Sequence, residues 1–384
     1  MRTRTTLTCL IALVAVASAV PGVAQTTDEL ARAQLAKGEE RLAAGDLLSA
    51  ESELRKTIEE FPSTEWAHWA RVRLADCLLR QNRLDESINV ARGVVNVCPA
   101  SSPRLAAAWA QYYVGLGYKA KDELDAQIWE MEKVESILGD HEDRGPFIKA
   151  KYELALAHHN RNDREKSISL CHEILSEKNA TDDDRAWACV ILGSSLADSG
   201  KTDEALSVLD RVRNEFPSLQ EQVLAAERRI FENRYLSRHD YDGAIREGRA
   251  IASSPTSSEG RARQARYYTA LALLRKGDYQ EAILEAQALL DRYTVFGEDH
   301  RKCRVIIARA SAARKDYANA VAALQALLAT DPPDTETRAT ALWDIATCCK
   351  ATGDTARARE YYQRIIDACG TSHLALRAAR ELAG

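Results

Sequence analysis

Histidine, cysteine and acidic side chains are the groups in this sequence that could catalyse a reaction or hold a metal ion. The only clustered histidines are His158, His159 and His172, and the helical pattern around them places His172 on a different helix from the other two. A metal ion shared by all three is therefore improbable, and the sequence contains no HExxH, GxSxG or phosphate-binding glycine motif. Because catalysis needs reactive groups that converge in one pocket, we predict no catalytic residue, no metal site and no cofactor.

Cysteines offer a second kind of chemistry. The sequence holds nine, and all but Cys9 follow the first 24 residues, which leaves an even number that permits disulfides in an oxidising compartment. Cys171 and Cys189 fall on adjacent predicted helices of neighbouring units, so they are the best candidate pair. Most of the cysteines lie inside predicted helices, where a free cysteine packs as a small apolar side chain, and this favours free thiols over disulfides.

Composition indicates which elements must position these groups. The chain has 384 residues, of which 46% are hydrophobic and 28% charged, and its formal net charge is −5. This is the composition of a folded protein, and mild acidity without a basic run argues against a nucleic-acid partner. Alanine and leucine are abundant whereas aromatic residues make up only 6% of the chain, a bias that favours helices over strands.

Turn-forming dipeptides recur along the whole chain between amphipathic stretches of helical spacing. They are Gly45-Asp46, Asn82-Arg83, Lys121-Asp122, Asn162-Asp163, Gly200-Lys201, His239-Asp240, Gly277-Asp278, Lys315-Asp316 and Gly353-Asp354. A small or uncharged residue follows each turn: Ala50, Ser87, Gln127, Ser167, Ala205, Ala244, Ala282, Ala320 and Ala358. These residues are spaced at 37 to 40 positions, so the sequence predicts a helix–turn–helix unit repeated about nine times.

A second row of small residues lies twelve positions before the first row. Its members are Gly38, Ala75, Gly115, Ala155, Gly193, Glu232, Ala270, Ala308 and Ala346, of which only Glu232 is large. Small side chains at both positions allow two antiparallel helices to cross with axes about 8–10 Å apart. Large apolar residues follow four positions after the second-helix site in four units, and we expect them to fill the gap to the next helix pair: Leu54, Leu209, Leu324 and Tyr362.

Helix ends show a further regularity, in which proline is followed closely by serine or threonine. Pro62-Ser63 and Pro217-Ser218 are examples, and we expect proline to stop one helix and serine to cap the next. The acidic run Asp182–Asp184 is likewise predicted to cap a helix that begins near Arg185 rather than to bind metal.

These units resemble the tetratricopeptide-repeat family. The fifth unit matches the family's signature spacing best, with Leu192, Gly193, Leu196, Ala205, Leu209, Val212 and Pro217. The eighth unit matches nearly as well, with Ala308, Ala320, Leu324, Leu327 and Pro332. The resemblance covers residues 28–384, although the units exceed the usual length of about 34 residues. It is nearest to the repeats of exported bacterial envelope proteins of the BamD and CpoB type. It implies a right-handed all-α solenoid over residues 28–370, closed by a capping helix over residues 371–384.

The resemblance also implies that the first helices line an extended concave surface. Counted from the small residue of each first helix, the groove-facing positions carry more aromatic residues than an even spread would give. They are Trp69, Trp109, Tyr112, Tyr152, Trp187, Tyr267 and Trp343. We predict that these residues bind a ligand in the groove, with packing between neighbouring helices as the alternative. Cations on the same helices could meet a peptide carboxylate or simply be solvated: Arg73, Arg80, Lys119, Arg275, Arg309 and Lys350.

Residues 1–24 have the pattern of a secretory signal peptide, with Arg2 and Arg4 before an apolar stretch and small residues at its end. Cys9 precedes the apolar stretch, so a lipid anchor is not expected. A retained N-terminal anchor is the alternative, although the stretch is shorter than the ~20 residues of a spanning helix. We predict an exported protein, periplasmic, envelope-associated or secreted, with no integral membrane span after signal removal.

Three functions are compatible with such an array. The first is a non-catalytic scaffold that binds a protein or peptide partner in the cell envelope through its concave surface. The alternative is a repeat protein that binds cell-wall glycan in an aromatic-lined groove. An enzyme is disfavoured because the repeats leave no room for a catalytic domain.

Overall fold

The structure is a computed structural model that describes residues 26–97, 104–292, 298–329 and 334–383. Helices joined by short connections make up these residues, and no strand occurs among them. The predicted all-α fold of repeated helix pairs is therefore confirmed. The predicted signal peptide and Cys98 lie outside the described residues. No helix in the described ranges has the length and apolar character needed to cross a membrane.

The chain divides into two compact units, with the boundary after Leu154. Odd-numbered helices are the first helices of the repeats and even-numbered helices are the second helices. The described helices of the first unit, together with the helix that contains the boundary, are α1 (Thr27–Ala43), α2 (Leu47–Glu60), α3 (Glu65–Arg80), α4 (Leu84–Val97), α5 (Arg104–Ala120), α6 (Leu124–Leu138) and α7 (Gly145–Asn160).

The second unit holds the remaining helices and one π-helical turn. They are α8 (Arg164–Ser176), α9 (Asp182–Asp198), α10 (Thr202–Glu215), α11 (Gln220–Ile230) with the π-helical turn Phe231–Leu236, α12 (Tyr241–Ser253), α13 (Glu259–Lys276), α14 (Tyr279–Arg292), α15 (Glu298–Ala313), α16 (Tyr317–Ala329), α17 (Thr335–Ala351), α18 (Thr355–Ala368) and α19 (His373–Ala383). The last of these, α19, packs against α17 and α18.

Every first helix from α1 to α17 ends in the same left-handed turn. One residue of each predicted turn has a φ between 60° and 98°, a region that costs glycine nothing and that asparagine tolerates better than most residues. The following N–H donates to the carbonyl five residues earlier, as Asp46 does to Arg41 at 3.0 Å and Arg83 to Leu78 at 2.9 Å. The turn positions predicted from sequence are thus confirmed.

The two rows of small residues meet where the helices of a pair cross. All nine second-helix positions are buried, and so are the glycine and alanine positions of the first helices. The Ser87 hydroxyl donates to the carbonyl of Ala75 at 2.7 Å, and Ser167 donates to Ala155 at 2.8 Å. A buried serine is tolerated here because a backbone carbonyl accepts its hydrogen bond.

The large residues of the second helices pack toward the next pair, as predicted, and also against their own pair. Leu54 shares a core cluster with Leu74, and Leu209 shares one with Val223. A Cβ built on Gly193 would lie 2.5 Å from Cγ of Leu209, and one on Gly38 would lie 2.7 Å from Leu54. Each leucine therefore contacts the glycine of its own pair in addition to the next pair. The glycines leave the room that these side chains occupy.

The π-helical turn explains why Glu232 breaks the row of small residues. A π-helical turn contains an extra residue and rotates the side chains that follow it. Phe231 turns into the core, where it is 1% exposed and stacks on Tyr268 with ring centroids 5.0 Å apart. Glu232 instead lies half-buried at the surface and accepts a hydrogen bond from the Tyr268 hydroxyl at 3.2 Å.

The helix caps differ from the prediction, and α9 begins at Asp182 rather than near Arg185. Thr64, not Ser63, caps α3 by accepting from the N–H of Ala67 at 3.3 Å. Ahead of α9, Thr181 is the capping residue, and Asp184 completes a capping box with it. The helix after Pro217-Ser218 begins without a side-chain cap, so serine was the wrong choice there.

Candidate binding face

First helices of successive repeats lie closer to each other than second helices do. In the first unit α1 contacts α3 and α3 contacts α5, and in the second unit α9, α11, α13 and α15 contact one another in order. Second helices of successive repeats make no comparable contacts within the described ranges. The first helices therefore form the narrower side of each unit, and we call their solvent-facing side chains the first-helix face.

Aromatic residues of the first unit lie on this face with their rings half in the core. Trp69, Trp109 and Tyr112 are half-buried and pack against one core cluster that includes Val72 and Val114. The rings of Trp109 and Tyr112 meet edge to face at 5.6 Å, a favourable arrangement for two aromatic groups. One part of each ring therefore stabilises the fold while another part stays available to a ligand.

Tyr152 lies on α7 near Tyr112. It is half-buried, and it influences the ionisation of Tyr112. Burial raises the pKa of Tyr112 well above its usual value, and the neighbouring Glu153 carboxylate acts in the same direction. Tyr112 is therefore neutral over the physiological range and can offer a ligand an uncharged hydroxyl and ring.

The predicted aromatic residues of the second unit do not form one cluster. Trp187, Tyr267 and Trp343 are half-buried and pack against three different core clusters. Cations cover two of the rings, since Lys302 Nζ lies 5.6 Å from the centroid of Tyr267 and Arg377 Cζ lies 4.5 Å from that of Trp343. The first unit thus places three of the predicted residues on one core cluster, whereas the second unit places its three on separate clusters.

Ion pairs connect the predicted cations of this face to neighbouring first helices. Arg73 contacts Glu39 at 2.6 Å, and Lys119 contacts Glu153 at 2.6 Å. Arg80 pairs with Asp76 within α3 at 2.8 Å, and Lys350 reaches Glu381 on α19 at 2.6 Å. These four cations already have carboxylate partners, so a peptide carboxylate would have to displace those partners to bind them.

Arg275 differs because it forms no ion pair within the described residues. It lines a cavity of about 280 Å³ together with Glu232, Leu236 and Ser237. The sixth predicted cation, Arg309, lies close enough to Asp344 to lower the pKa of that carboxyl, although burial raises it overall. The two cations are thus the least constrained members of the set.

A buried hydrogen-bond network that the sequence did not suggest joins α7, α8 and α9. Nδ1 of His159 lies 2.9 Å from Oγ of Ser195, which lies 2.9 Å from Oγ of Ser167. Asp198 is 3.8 Å from Nε2 of the histidine. The residue types are those of a hydrolase, but both serines are fully buried and no substrate could reach them. The network therefore serves packing between the fourth and fifth repeats.

The described part of the chain contains neither a disulfide nor a cluster of metal-ligating side chains. Cys171 and Cys189 are free and buried, as are the other described cysteines, and burial raises the pKa of both thiols. Raised pKa values make these thiols poor nucleophiles. No group of three histidine, cysteine or acidic side chains suited to a metal ion occurs among the described residues.

Family comparison agrees with this architecture. A tetratricopeptide repeat-like model matches residues 14–96, and tetratricopeptide-repeat models match residues 190–218, 233–294 and 307–373. Together these matches span more than half of the chain. The chain belongs to the tetratricopeptide-repeat family. No curated protein matches the sequence of this tetratricopeptide-repeat protein.

Solved structures share the fold of this tetratricopeptide-repeat protein. The apo form of the quorum sensor NprR from B. thuringiensis is 14% identical, with a TM-score of 0.56 over 89% of this chain and 99% of that one. The apo form of RapI is 13% identical, with a TM-score of 0.56 over 92% of this chain and 98% of that one. At such low identity the similarity concerns the fold alone.

Proposed function

We propose that this chain is a non-catalytic scaffold that binds a protein or peptide partner through its first-helix face. Tetratricopeptide-like repeats typically mediate protein–protein interactions. The observation that carries the proposal is the group of half-buried rings in the first unit, where Trp69, Trp109 and Tyr112 pack on one core cluster. Rings held rigidly by a core offer contact area at low entropic cost, as interface anchors do.

Affinity at this face would come from the rings rather than from new ion pairs. The flanking charges of Arg73 and Lys119 are already matched by Glu39 and Glu153. Exchange of the exposed Arg73–Glu39 pair for another ion pair would contribute little, and exchange of the Lys119 pair would leave the buried carboxylate of Glu153 without its partner. We therefore expect these charges to set the orientation of the partner and to exclude wrongly charged partners. A partner with apolar or aromatic side chains in an extended segment suits this arrangement.

We propose further that the protein works outside the cytoplasm, in the cell envelope. The signal-like pattern of residues 1–24 and the resemblance to envelope proteins of the BamD and CpoB type support this location. The test is to follow the full-length protein in cell fractions and to sequence the N-terminus of its mature form. An uncleaved protein in the cytoplasmic fraction would contradict it.

Binding can be tested with paired variants of the first unit. Full-length protein is crosslinked in its native host, partners are identified by mass spectrometry, and the affinity for a purified partner is then measured. A Trp109→Ala, Tyr112→Ala variant should lose at least tenfold in affinity. Trp129→Ala is the matched control, since Trp129 lies on the second helix α6 and is 61% exposed.

Three outcomes would decide against the proposal. One is a verified partner whose affinity is unchanged in the double variant, and another is a loss that appears equally in the Trp129 control. The third is selective retention of the protein by purified cell-wall glycan with no protein partner, which would favour the glycan-binding alternative.

A further inference from the structure

The second unit contains a cavity of about 710 Å³. Residues of the second helices α14 and α16 and of the first helix α15 line it. Its apolar lining comes from Ile283, Leu290 and Ile307, and the neutral polar lining includes Gln287 and Ser311. This volume and mixed lining are in the range of small-molecule sites, about 300–1,000 Å³.

Other repeats have a side-chain hydrogen bond between their two helices at the position that corresponds to this cavity. In the first and third repeats, a glutamine four residues before the small first-helix position donates to a glutamate three residues after the second-helix position. Gln111 Nε2 donates to Glu130 Oε2 at 2.8 Å, and Gln34 donates to Glu53 in the same way. In the seventh repeat Arg266 takes the place of the glutamine and contacts Glu285 at 3.4 Å.

The eighth repeat keeps the donor of this contact and lacks its acceptor. Arg304 stands at the donor position, but Ala323 replaces the glutamate, and both residues line the cavity. Nε of Arg304 is buried without a hydrogen-bond partner, as is Nε of Arg266. The two differ because Arg266 pairs with Glu285, whereas the described residues provide no ion pair for the Arg304 guanidinium. The cavity therefore borders a guanidinium group whose usual carboxylate partner is missing.

Other charged groups around the cavity are already engaged. Asp291 accepts from Gln287 at 2.8 Å, and Asp316 accepts from the Asn319 amide at 2.7 Å at the start of α16. Arg314 donates to Gln280. Among these charged groups, Arg304 is the one for which the described residues provide neither a hydrogen bond nor an ion pair. A half-buried guanidinium without a partner favours a ligand of opposite charge.

We propose that this cavity binds a small monocarboxylate with an apolar body. The carboxylate takes the position that Glu53, Glu130 and Glu285 fill in other repeats and accepts hydrogen bonds from Arg304. The apolar body lies along Ile283, Leu290 and Ile307. This site is independent of the first-helix face, so it would add a small-molecule input to the proposed scaffold.

The test uses full-length protein and a panel of straight-chain carboxylates from butyrate to decanoate, with 4-phenylbutyrate, each paired with its amide. Calorimetric titration should show that at least one acid binds at millimolar or lower concentration and that its amide binds at least tenfold more weakly. Arg304→Gln should weaken the acid at least tenfold. Ala323→Glu should weaken acid binding to the same extent, because the new carboxylate would pair with the Arg304 guanidinium in place of the ligand.

Arg266→Gln is the matched control, since it removes a guanidinium that has its own glutamate and does not line the cavity. Its affinity for the acid should equal that of the wild type. Circular dichroism confirms that each variant folds, and if Ala323→Glu does not, Arg304→Gln alone decides. The proposal is overturned if no acid in the panel binds, if the amides bind equally well, or if Arg304→Gln binds as the wild type does.

Discussion

The hydroxyl of Ser167 donates a hydrogen bond to the carbonyl oxygen of Ala155, twelve residues earlier, at 2.8 Å. Ser87 and Ala75 make the same contact at 2.7 Å. The offset of twelve is the one that relates the two rows of small residues in the sequence. This hydrogen bond therefore identifies the two residues at which the helices of a pair cross. Substitutions at the crossing can test this register.

Gly193→Ala should lower the free energy of unfolding by about 1–3 kcal/mol, since its Cβ would lie 2.5 Å from Leu209 Cγ. Gly93→Ala is the control because nothing lies within 4 Å of a Cβ there, and it should raise stability by about 0.5–1 kcal/mol. Urea unfolding measures both. Adding Leu209→Ala should make Gly193→Ala less costly than it is alone, and equal costs in both backgrounds would contradict the predicted crossing.

Arg261→Ala should destabilise the protein more than Arg73→Ala. Arg261 donates twice to Oε1 of Glu227, at 2.6 and 2.8 Å, and the side chain of Glu227 is 2% exposed. Removal of the arginine leaves a buried carboxylate unpaired, which we expect to cost about 2 kcal/mol. The Glu39 side chain is 41% exposed, so loss of Arg73 should cost less than about 1 kcal/mol. Double-mutant cycles with Glu227→Gln and Glu39→Gln compare the couplings, and equal values would rule out this ranking.

Stability should fall as the pH drops below about 6.5, the ordinary pKa of histidine. Burial lowers the pKa of His159 in the folded protein, and Arg164 acts in the same direction. The unfolded chain therefore takes up the proton first, so the stabilisation is complete above the unfolded pKa and is lost as the pH falls toward the folded one. His159→Gln should reduce the slope of unfolding free energy between pH 7 and pH 5, and His68, whose pKa is also lowered by burial, accounts for part of the remainder. An unchanged slope would contradict this role of His159.

Ala323→Glu should stabilise the unliganded protein by about 1 kcal/mol. The new carboxylate would restore the partner that Arg304 lacks. Position 323 is only partly buried, so we expect the charge-assisted hydrogen bond to exceed the burial cost of the glutamate. Chemical denaturation measures the gain, and Ala323→Gln, of similar shape but uncharged, should gain less. A destabilised Ala323→Glu together with a neutral Ala323→Gln would show that the guanidinium does not face position 323.

Local chemistry explains which features could be predicted from the sequence. The turn at Gly200 and the crossing at Gly193 depend on residues within one helix pair, so a periodic pattern was enough to locate them. The cap of α3 depends on the backbone path after Pro62, and the choice between Ser63 and Thr64 could not be made from residue type alone. The helices themselves were therefore predicted correctly, whereas their boundaries carried errors of one to three residues, as at α9 and α19.

Features that depend on a departure from the pattern were harder to predict. From the sequence, Glu232 indicated that the sixth repeat is irregular. The structure was needed to show that a π-helical turn puts Phe231, rather than residue 232, into the core. The aromatic positions on the first helices were predictable, whereas the clustering of Trp109 with Tyr112 required coordinates. The cavity beside Arg304 left a signal in the sequence, since Ala323 stands where other repeats have glutamate, but its meaning appears only once the contact of Gln111 with Glu130 is seen.

The shared left-handed turn has a consequence for how such a chain can change over generations. Nine first helices end with the same backbone geometry, so a segment cut at two equivalent turns begins and ends in matching conformations. A gene could therefore gain or lose one whole helix pair by unequal recombination and still encode a chain whose joint closes without strain. Growth in steps of one pair lengthens the binding face while each existing crossing keeps its neighbours.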